Sequence, residues 1–243
     1  ELASSTEYFR WLAHDDVLMP TYLERCVTAL DADPAAVLCQ SLIVNIDRDG
    51  NSISAYDSGL KTCRSSSSPA ERFGECILTH HRNSEVFSVI RRDIMANSVK
   101  HGDYDNQDKA FVANMALRGR FLFIAEPLFG YRDHPQQFSR RLRVFDAFAW
   151  FRTDNDRWNR AAYLMLYLNY VRMVRRNIAE RRERLRCYRH LVTWWFTATN
   201  FKVTALGLLA ALAPNLFRLA RSAVGTVIGE ARRPLMSEFK SGG

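Results

Sequence analysis

Runs of β-branched and aromatic residues alternate with helical patterns over the first 141 residues of the chain. The runs predict strands at residues 8–13, 37–46, 52–56, 86–90, 121–125 and 128–132. The amphipathic spacing between them predicts helices at residues 20–33, 70–80 and 106–118. We also predict a surface loop over residues 61–69, which contain four consecutive serines, and a helix cap at Gly119. This alternation is typical of α/β domains, so we expect one over residues 1–141.

The pattern changes after residue 141, where apolar residues follow helical spacing and no strand signal appears before Pro214. We therefore predict an all-helical appendage over residues 142–243. Positive charge is concentrated at its start, because residues 139–190 contain fourteen arginines against three Asp and two Glu, which gives +9. The whole chain carries +8, so the remaining residues are close to neutral.

The composition is that of a globular protein, with 47% hydrophobic and 25% charged residues. It excludes a disordered, collagenous or multi-span membrane protein. The five cysteines are scattered, odd in number and without a C-x-x-C pair. This pattern predicts free, mostly buried thiols in a reducing compartment, and hence a cytoplasmic protein, rather than a disulfide framework or a zinc site.

The motif His14-Asp15-Asp16 comes directly after the first predicted strand. Side chains at the carboxyl end of a strand project into the crevice where open α/β sheets bind ligands. Paired carboxylates at such a point suit Mg²⁺ or Mn²⁺ held jointly with the phosphates of a substrate. The alternative is that Asp16 caps the helix that begins at Pro20, since short polar residues are favoured N-caps.

Two further segments carry groups that suit catalysis. Asp108 lies in the first turn of the third predicted helix, where the helix dipole favours an ionised carboxylate that can act as a general base. Arg132 and His134, followed by Arg140 and Arg141, come after the last predicted strand and suit phosphate binding. The alternatives are a helix N-terminus capped by a neighbouring polar residue and a solvated basic loop.

Taken in this order, the three segments resemble the second half of a family 2 glycosyltransferase of the GT-A fold. The resemblance covers residues 1–141 and rests on three stretches: WLAHDDVLMPTYLERC, SEVFSVIRRDIM and DNQDKAFVANMALRGRFLFIAEPLFGYRDH. It implies a truncated GT-A mixed sheet. By resemblance, Asp16 would ligate the metal, and Asp15 would contact the donor's ribose or the metal shell. His14, which stands where the family often has a third acidic residue, would belong to the donor contacts.

The resemblance also implies the roles of the later residues. Asp108, preceded by Gln107, matches the catalytic base, whereas Arg132 and His134 match a Y-R-x-H element that approaches the diphosphate and the metal. Such an enzyme uses Mg²⁺ or Mn²⁺ and inverts the anomeric centre as it moves a sugar from a nucleotide-diphosphate donor to a hydroxyl acceptor. The acceptor would be a polysaccharide or a lipid-linked glycan, as in cell-envelope biosynthesis.

One part of the family pattern has no counterpart in these residues. The first βαβ units, with their opening strand and base-recognising Asp, would precede Glu1. We therefore expect most of the nucleotide-base pocket to lie outside this chain, and the chain alone to be inactive as a transferase.

The arginine-rich segment leads into an apolar stretch at residues 191–213, which contains the pair Trp194-Trp195. Three interpretations remain open for these helices. They lie on an anionic membrane surface at the inner face of the plasma membrane; they pack on the catalytic domain or a second subunit; or they span a membrane.

Two functions compete with glycosyl transfer. The first is a basic helical protein that binds nucleic acid or a membrane surface without catalysis. No nucleic-acid docking motif accompanies the arginines, so no nucleic-acid partner is expected. The second is a metal phosphohydrolase built on His14-Asp15 with His80-His81. That chemistry usually needs its His-Asp pair on a helix, whereas the pair follows a strand here.

Overall fold

Six strands form a mixed sheet in the computed structural model, which describes residues 6–98, 106–133 and 161–213. The strands are β1 (Tyr8–Phe9), β2 (Val17–Leu18), β3 (Ala36–Ile46), β4 (Ser52–Tyr56), β5 (Val89–Arg91) and β6 (Arg120–Arg132). Their order is β1-β5-β3-β6-β2, and β4 pairs with the second half of β3. The central strands β3 and β6 run parallel, whereas the other pairs are antiparallel. The fold is therefore mixed α/β, as the alternating pattern predicts.

Helices pack around this sheet. They are α1 (Tyr22–Ala32), α2 (Lys61–Ser65), α3 (Pro69–Leu78), α4 (Arg92–Ala96), α5 (Gln107–Arg118), α6 (Ala162–Asn177), α7 (Arg181–Phe196), α8 (Ala198–Leu212) and a 3₁₀ helix (Ser84–Phe87). Helices α1, α3 and α5 begin and end within two residues of the predicted bounds. Local signals explain the start of α3, since Pro69 occupies its first turn and the Ser68 hydroxyl accepts a hydrogen bond from Glu71 N.

Three predicted segments differ from the structure. The first strand is only Tyr8–Phe9, because the chain then leaves the sheet and packs Trp11 edge-on against Phe111, with 5.2 Å between ring centroids. The predicted loop at residues 61–69 contains α2, whose first N–H groups are satisfied by the carboxylate of Glu75. The predicted strand at residues 86–90 is divided between the 3₁₀ helix and β5.

Strand β6 continues through the predicted break at Glu126-Pro127. Ser41 pairs with Ile124 and the next residue of β3 pairs with Pro127, so two residues of β6 bulge without ending the strand.

Gly119 ends α5 as predicted, but its backbone is extended, with φ at −176°, rather than left-handed. A Cβ at this position would lie 2.4 Å from Val37 Cγ1 and 2.7 Å from the carbonyl oxygen of Ala35. The glycine is therefore required by the close approach of β3 to the α5–β6 junction.

The C-terminal helices share a core with the α/β part. Helix α6 packs on α5, and α7 packs on α3. Tyr170 lies edge-on against Phe73, with 5.7 Å between ring centroids. The carboxylate of Glu183 accepts hydrogen bonds from Ser68 Oγ at 2.6 Å and Ala70 N at 3.1 Å, which joins α7 to the N-terminus of α3. The inner faces of α6 and α7 therefore belong to the main hydrophobic core.

The predicted apolar stretch at residues 191–213 is not one helix. Thr197 is extended and separates α7 from α8, because its ψ of 125° interrupts the helical backbone. Among the residues described, no helix has both the length and the apolar character needed to cross a membrane. All five cysteines are free and buried, as predicted.

Candidate functional site at the carboxyl ends of the central strands

The acidic motif lies at the carboxyl ends of the two central strands. Parallel pairing aligns Ile46 at the end of β3 with Arg132 at the end of β6. Strand β2 runs antiparallel to β6 and pairs Val17 with Gly130, so Asp15 and Asp16 lie at the same end. This is the edge of an α/β sheet at which ligands bind. We call Asp15, Asp16, Asp47 and Arg132 the acidic edge.

Asp16 is the most constrained carboxylate of the acidic edge. Its Oδ1 accepts a hydrogen bond of 3.0 Å from Arg132 N, whereas its Oδ2 is buried and has no hydrogen-bond partner among the residues described. Burial raises the pKa of Asp16 above its ordinary value, and the Arg132 N–H offsets that rise in part. The alternative that Asp16 caps α1 does not hold, because the N-cap residue of α1 is Thr21.

The guanidinium of Arg132 holds two loops together. Its Nε donates to the carbonyl oxygen of Asp15, and its Nη1 donates to those of Asp47 and Arg48, each at 2.8 Å. These bonds fix the acidic motif against the β3–β4 turn. Arg132 was predicted to contact the donor. In the structure its guanidinium holds the backbone of the acidic motif and of the β3–β4 turn.

The remaining members of the acidic motif differ in exposure. His14 is 95% exposed, and its Nδ1 lies 3.9 Å from Oδ1 of Asp15, whose side chain is only 19% exposed. Asp47 accepts hydrogen bonds from Asp49 N and Asn51 N within its own turn, and those from Asn51 hold the pKa of Asp47 below its ordinary value. Asp15 and Asp16 are thus held in place, whereas the His14 ring projects into solvent.

Asp108 lies where the sequence places it, in the first turn of α5. Its side chain is exposed and accepts a hydrogen bond of 2.9 Å from Lys109 N. No hydrogen bond or ion pair joins it to Asp15 or Asp16 in the described structure. The segment that precedes the acidic motif does contact α5, the helix of Asp108, because the ring of Trp11 packs against that of Phe111.

The predicted metal site lies only partly among the described residues. His134 lies outside the described residues, as do Arg140 and Arg141. Within residues 6–98, 106–133 and 161–213, no group of three His, Cys, Asp or Glu side chains is arranged to hold a metal ion. Of the two predicted ligands, Asp16 and His134, only Asp16 lies among the described residues.

Arg10, which no sequence motif singled out, lies beside this site. Its guanidinium carbon is 4.5 Å from the ring centroid of Tyr22 and 4.7 Å from that of Phe129, and its Nε donates to Phe87 O at 2.6 Å. Both Nη atoms are buried and without hydrogen-bond partners in the described part of the chain. The charge of Arg10 lowers the pKa of Asp16, although the two side chains form no ion pair. The sequence does contain a signal for Arg10, since it is a charged residue within the aromatic run Tyr8-Phe9-Arg10-Trp11.

A buried ion pair was also missed. Glu85 has no exposed surface, and its Oε2 lies 3.4 Å from Nδ1 of His81, while Nε2 of His81 lies 3.1 Å from Cys76 O. Burial alone would raise the pKa of Glu85 and lower that of His81. Their mutual attraction reverses both shifts, so the pKa of Glu85 is lowered and that of His81 is raised. His81 is thus held by Glu85 and is not part of a site with His14.

In comparisons with known proteins, the sequence matches neither a protein-family model nor a curated protein.

Proposed function

We propose that this chain supplies the catalytic half of a metal-dependent, inverting glycosyltransferase of the GT-A fold. It would move a sugar from a nucleotide-diphosphate donor to a hydroxyl of a polysaccharide or lipid-linked glycan. The observation that carries the proposal is a set of buried atoms on oppositely charged side chains, Oδ2 of Asp16 and both Nη atoms of Arg10, that have no hydrogen-bond partner among the described residues. Burying such groups unpaired is unfavourable, and a diphosphate that carries a divalent cation presents the charges that satisfy both.

The carboxylates of the acidic edge fit such a cation. Mg²⁺ is usually held by one or two carboxylates together with substrate phosphates and water, rather than by a complete protein cage. Asp16 would bind through its unpartnered Oδ2. Asp15 would lie in the metal shell or against the donor's ribose, and His134 would be a further ligand by resemblance. When bound, Mg²⁺ or Mn²⁺ offsets the negative charge that develops on the departing diphosphate.

The other residues of the site would orient the donor. Arg10 would donate its Nη–H groups to the diphosphate in charge-assisted hydrogen bonds. Arg132 would keep the acidic motif in place through its bonds to the carbonyl oxygens of Asp15 and Asp47. His14, which is exposed, is free to turn towards the donor when it binds.

Asp108 would act as the general base. Its exposed position in the first turn of α5 leaves room for an acceptor hydroxyl. The base removes the hydroxyl proton as the acceptor oxygen attacks the anomeric carbon. Attack from the side opposite to the diphosphate inverts the configuration of that carbon.

The first test uses Mn²⁺ with inorganic pyrophosphate, because this probe does not depend on a nucleotide-base pocket. Calorimetric titration of the chain should show pyrophosphate binding that requires Mn²⁺. Asp16→Asn and Arg10→Gln should each weaken it about tenfold or more. Asp49→Asn, which removes an exposed carboxylate from the β3–β4 turn, is the matched control and should bind normally. Unchanged binding by Asp16→Asn would show that the proposal is wrong.

The second test concerns the base. In any form of this protein that transfers sugar, Asp108→Asn should abolish the transfer. The same substitution should leave binding of Mn²⁺ and pyrophosphate unchanged. Transfer that survives Asp108→Asn would remove Asp108 from the mechanism.

A further inference from the structure

The outer face of the C-terminal helices combines apolar and basic side chains. On α7, Leu185, Val192 and Phe196 are exposed, the last by 75%, and lie on the same side as Arg182 and Arg189. This follows from the helical period, since positions 182, 185, 189, 192 and 196 succeed one another at intervals of three and four residues. The opposite side of α7 is buried against α3.

Helix α6 completes this surface. A groove of about 320 Å³ between the two helices is lined by Leu164, Tyr167, Leu168, Val192, Trp195 and Phe196. Arg172 and Arg175 are exposed on α6 beside Leu168. We call the groove and these flanking arginines of α6 and α7 the outer face. It places apolar side chains at the centre and cationic ones around them.

Two arginines of the outer face, Arg182 and Arg189, have side chains that make no hydrogen bond or ion pair with the described residues. Arg172 donates from its Nη1 to Asn169 Oδ1 on its own helix at 3.3 Å. Arg186, by contrast, is bound to Glu71 and Glu183 and helps to hold α7 on α3. Residues 161–213 contain eight arginines and one lysine against two glutamates, which gives a net charge of +7.

Helix α8 extends the apolar surface. Of its described side chains only Thr204 and Ala211 are buried, and Phe201 and Leu212 are more than half exposed. Lys202 is its only charged residue. Because no described helix can cross a membrane, apolar area on α8 is available for contact with a surface rather than for insertion across one.

We propose that the outer face binds to the surface of an anionic phospholipid bilayer. Apolar and aromatic side chains would enter the headgroup region while the flanking arginines contact lipid phosphates. A second copy of the chain fits less well, because two such faces, each with four exposed arginines, would repel each other. Nucleic acid would satisfy the arginines but would leave Val192 and Phe196 against water. This inference goes beyond glycosyl transfer and does not depend on it.

The experiment is flotation of the full chain with vesicles. We expect binding to vesicles of equimolar phosphatidylcholine and phosphatidylglycerol, and little binding to phosphatidylcholine alone. Arg182→Gln with Arg189→Gln should lower the partition coefficient about 25-fold, since each arginine near an anionic surface contributes about fivefold. The control is Arg48→Gln with Lys61→Gln, which removes the same charge from exposed positions outside these helices.

The apolar contribution is tested separately. Phe196→Ser should lower binding about tenfold on anionic vesicles, because it removes a large side chain that would leave water. Ile53→Ser, at a residue that is 57% exposed on β4, should have no effect. All these side chains are exposed, so thermal unfolding should show that the variants remain folded.

Three results would overturn the proposal. The full chain could fail to float with anionic vesicles, or the outer-face and control variants could lose binding equally. Alternatively, the outer face could be occupied by another partner. Sedimentation would then show a dimer that Phe196→Ser dissociates, or a single-stranded oligonucleotide would bind with a steep salt dependence that Phe196→Ser leaves unchanged. No sugar nucleotide is used, so failure here leaves the glycosyltransferase proposal untouched.

Discussion

The acidic edge with the neighbouring Arg10 and the outer face both have charged side chains with atoms that lack a hydrogen-bond partner among the described residues, but in different environments. At the acidic edge the unpartnered atoms of Asp16 and Arg10 are buried, whereas Arg182 and Arg189 on the outer face are in water. A buried charge must be satisfied at a fixed place, which selects a ligand of defined shape. Exposed arginines among apolar side chains suit a surface that has charge but no fixed geometry. The difference therefore supports a small ligand as the proposed partner of the acidic edge and an extended surface as that of the outer face.

Helices α6 and α7 share the main hydrophobic core with α3 and α5, so we expect them to unfold together with the α/β part. Leu166 of α6 tests this expectation, because it is fully buried in the shared core. Leu166→Ala should lower the free energy of unfolding by about 4 kcal/mol through lost burial and a cavity. Urea unfolding followed by tryptophan fluorescence and by circular dichroism should show one transition.

The control for this variant is Leu168→Ala on the same helix, where the side chain is 38% exposed in the groove. It should change stability by less than about 0.5 kcal/mol. Two separate transitions, with Leu166→Ala affecting only one, would show that the helices are an independent appendage.

His81 and Glu85 are also buried, but unlike the charged groups near the acidic edge they form an ion pair with each other. Glu85→Gln should lower the free energy of unfolding by about 3 kcal/mol near pH 6, since it leaves His81 in the interior without its counter-charge. Glu24→Gln, at an exposed glutamate of α1, should have no such effect.

The pH dependence of this pair has a definite sign. The pKa of His81 is raised above 6.5, so its contribution is complete below that pH and is lost as the pH rises through the folded-state pKa. The pKa of Glu85 is lowered below 4.5, so its contribution is lost as the pH falls through the folded-state pKa. A stability profile in which Glu85→Gln is as pH-dependent as the parent chain would contradict this account.

Glu183 anchors α7 to α3 on the side opposite the outer face, and its substitution tests how much this anchor contributes to stability. Glu183→Gln should lower the free energy of unfolding by about 1.5 kcal/mol, because it removes charge-assisted bonds to Ser68 and Ala70 at the N-terminus of α3. Glu180→Gln, three residues earlier and exposed, is the matched control. Thermal unfolding measures both, and equal melting temperatures for the two variants would show that these bonds contribute nothing.

The sequence predicted those parts of the fold whose local signals agree with their packing. Amphipathic spacing located α1, α3 and α5, and the β-branched run at residues 37–46 located β3, which differs by one residue at its start. Local sequence signals gave wrong predictions where contacts between residues distant in sequence determine the structure. Helix α2 depends on the Glu75 carboxylate from another helix, and β1 ends early because Trp11 packs on Phe111.

The residues of the candidate site likewise divide into those that local sequence signals identified and those that only tertiary packing brings to the site. Asp15, Asp16 and Arg132 were found from their place next to predicted strands, and the register of β2, β3 and β6 brings them together. Arg10 was missed because its relation to Asp16 arises from tertiary packing over two aromatic rings, one on α1 and one on β6. The glycosyltransferase assignment and the function of Asp108 remain predictions.

The smallest expected effect is at Asp16 in the chain without ligands. Burial raises the pKa of Asp16, so ionisation in the folded state is unfavourable, and stability from this group rises as the pH falls through the folded-state pKa. Asp16→Asn should therefore raise the free energy of unfolding at pH 7 by about 0.5 kcal/mol, a modest gain because the carboxylate is only partly buried. Urea unfolding measures the gain, with Asp49→Asn as the control. If Asp16→Asn instead destabilises the chain, the carboxylate has a partner that satisfies it without a ligand, and the contrast between the buried acidic edge and the exposed outer face no longer holds.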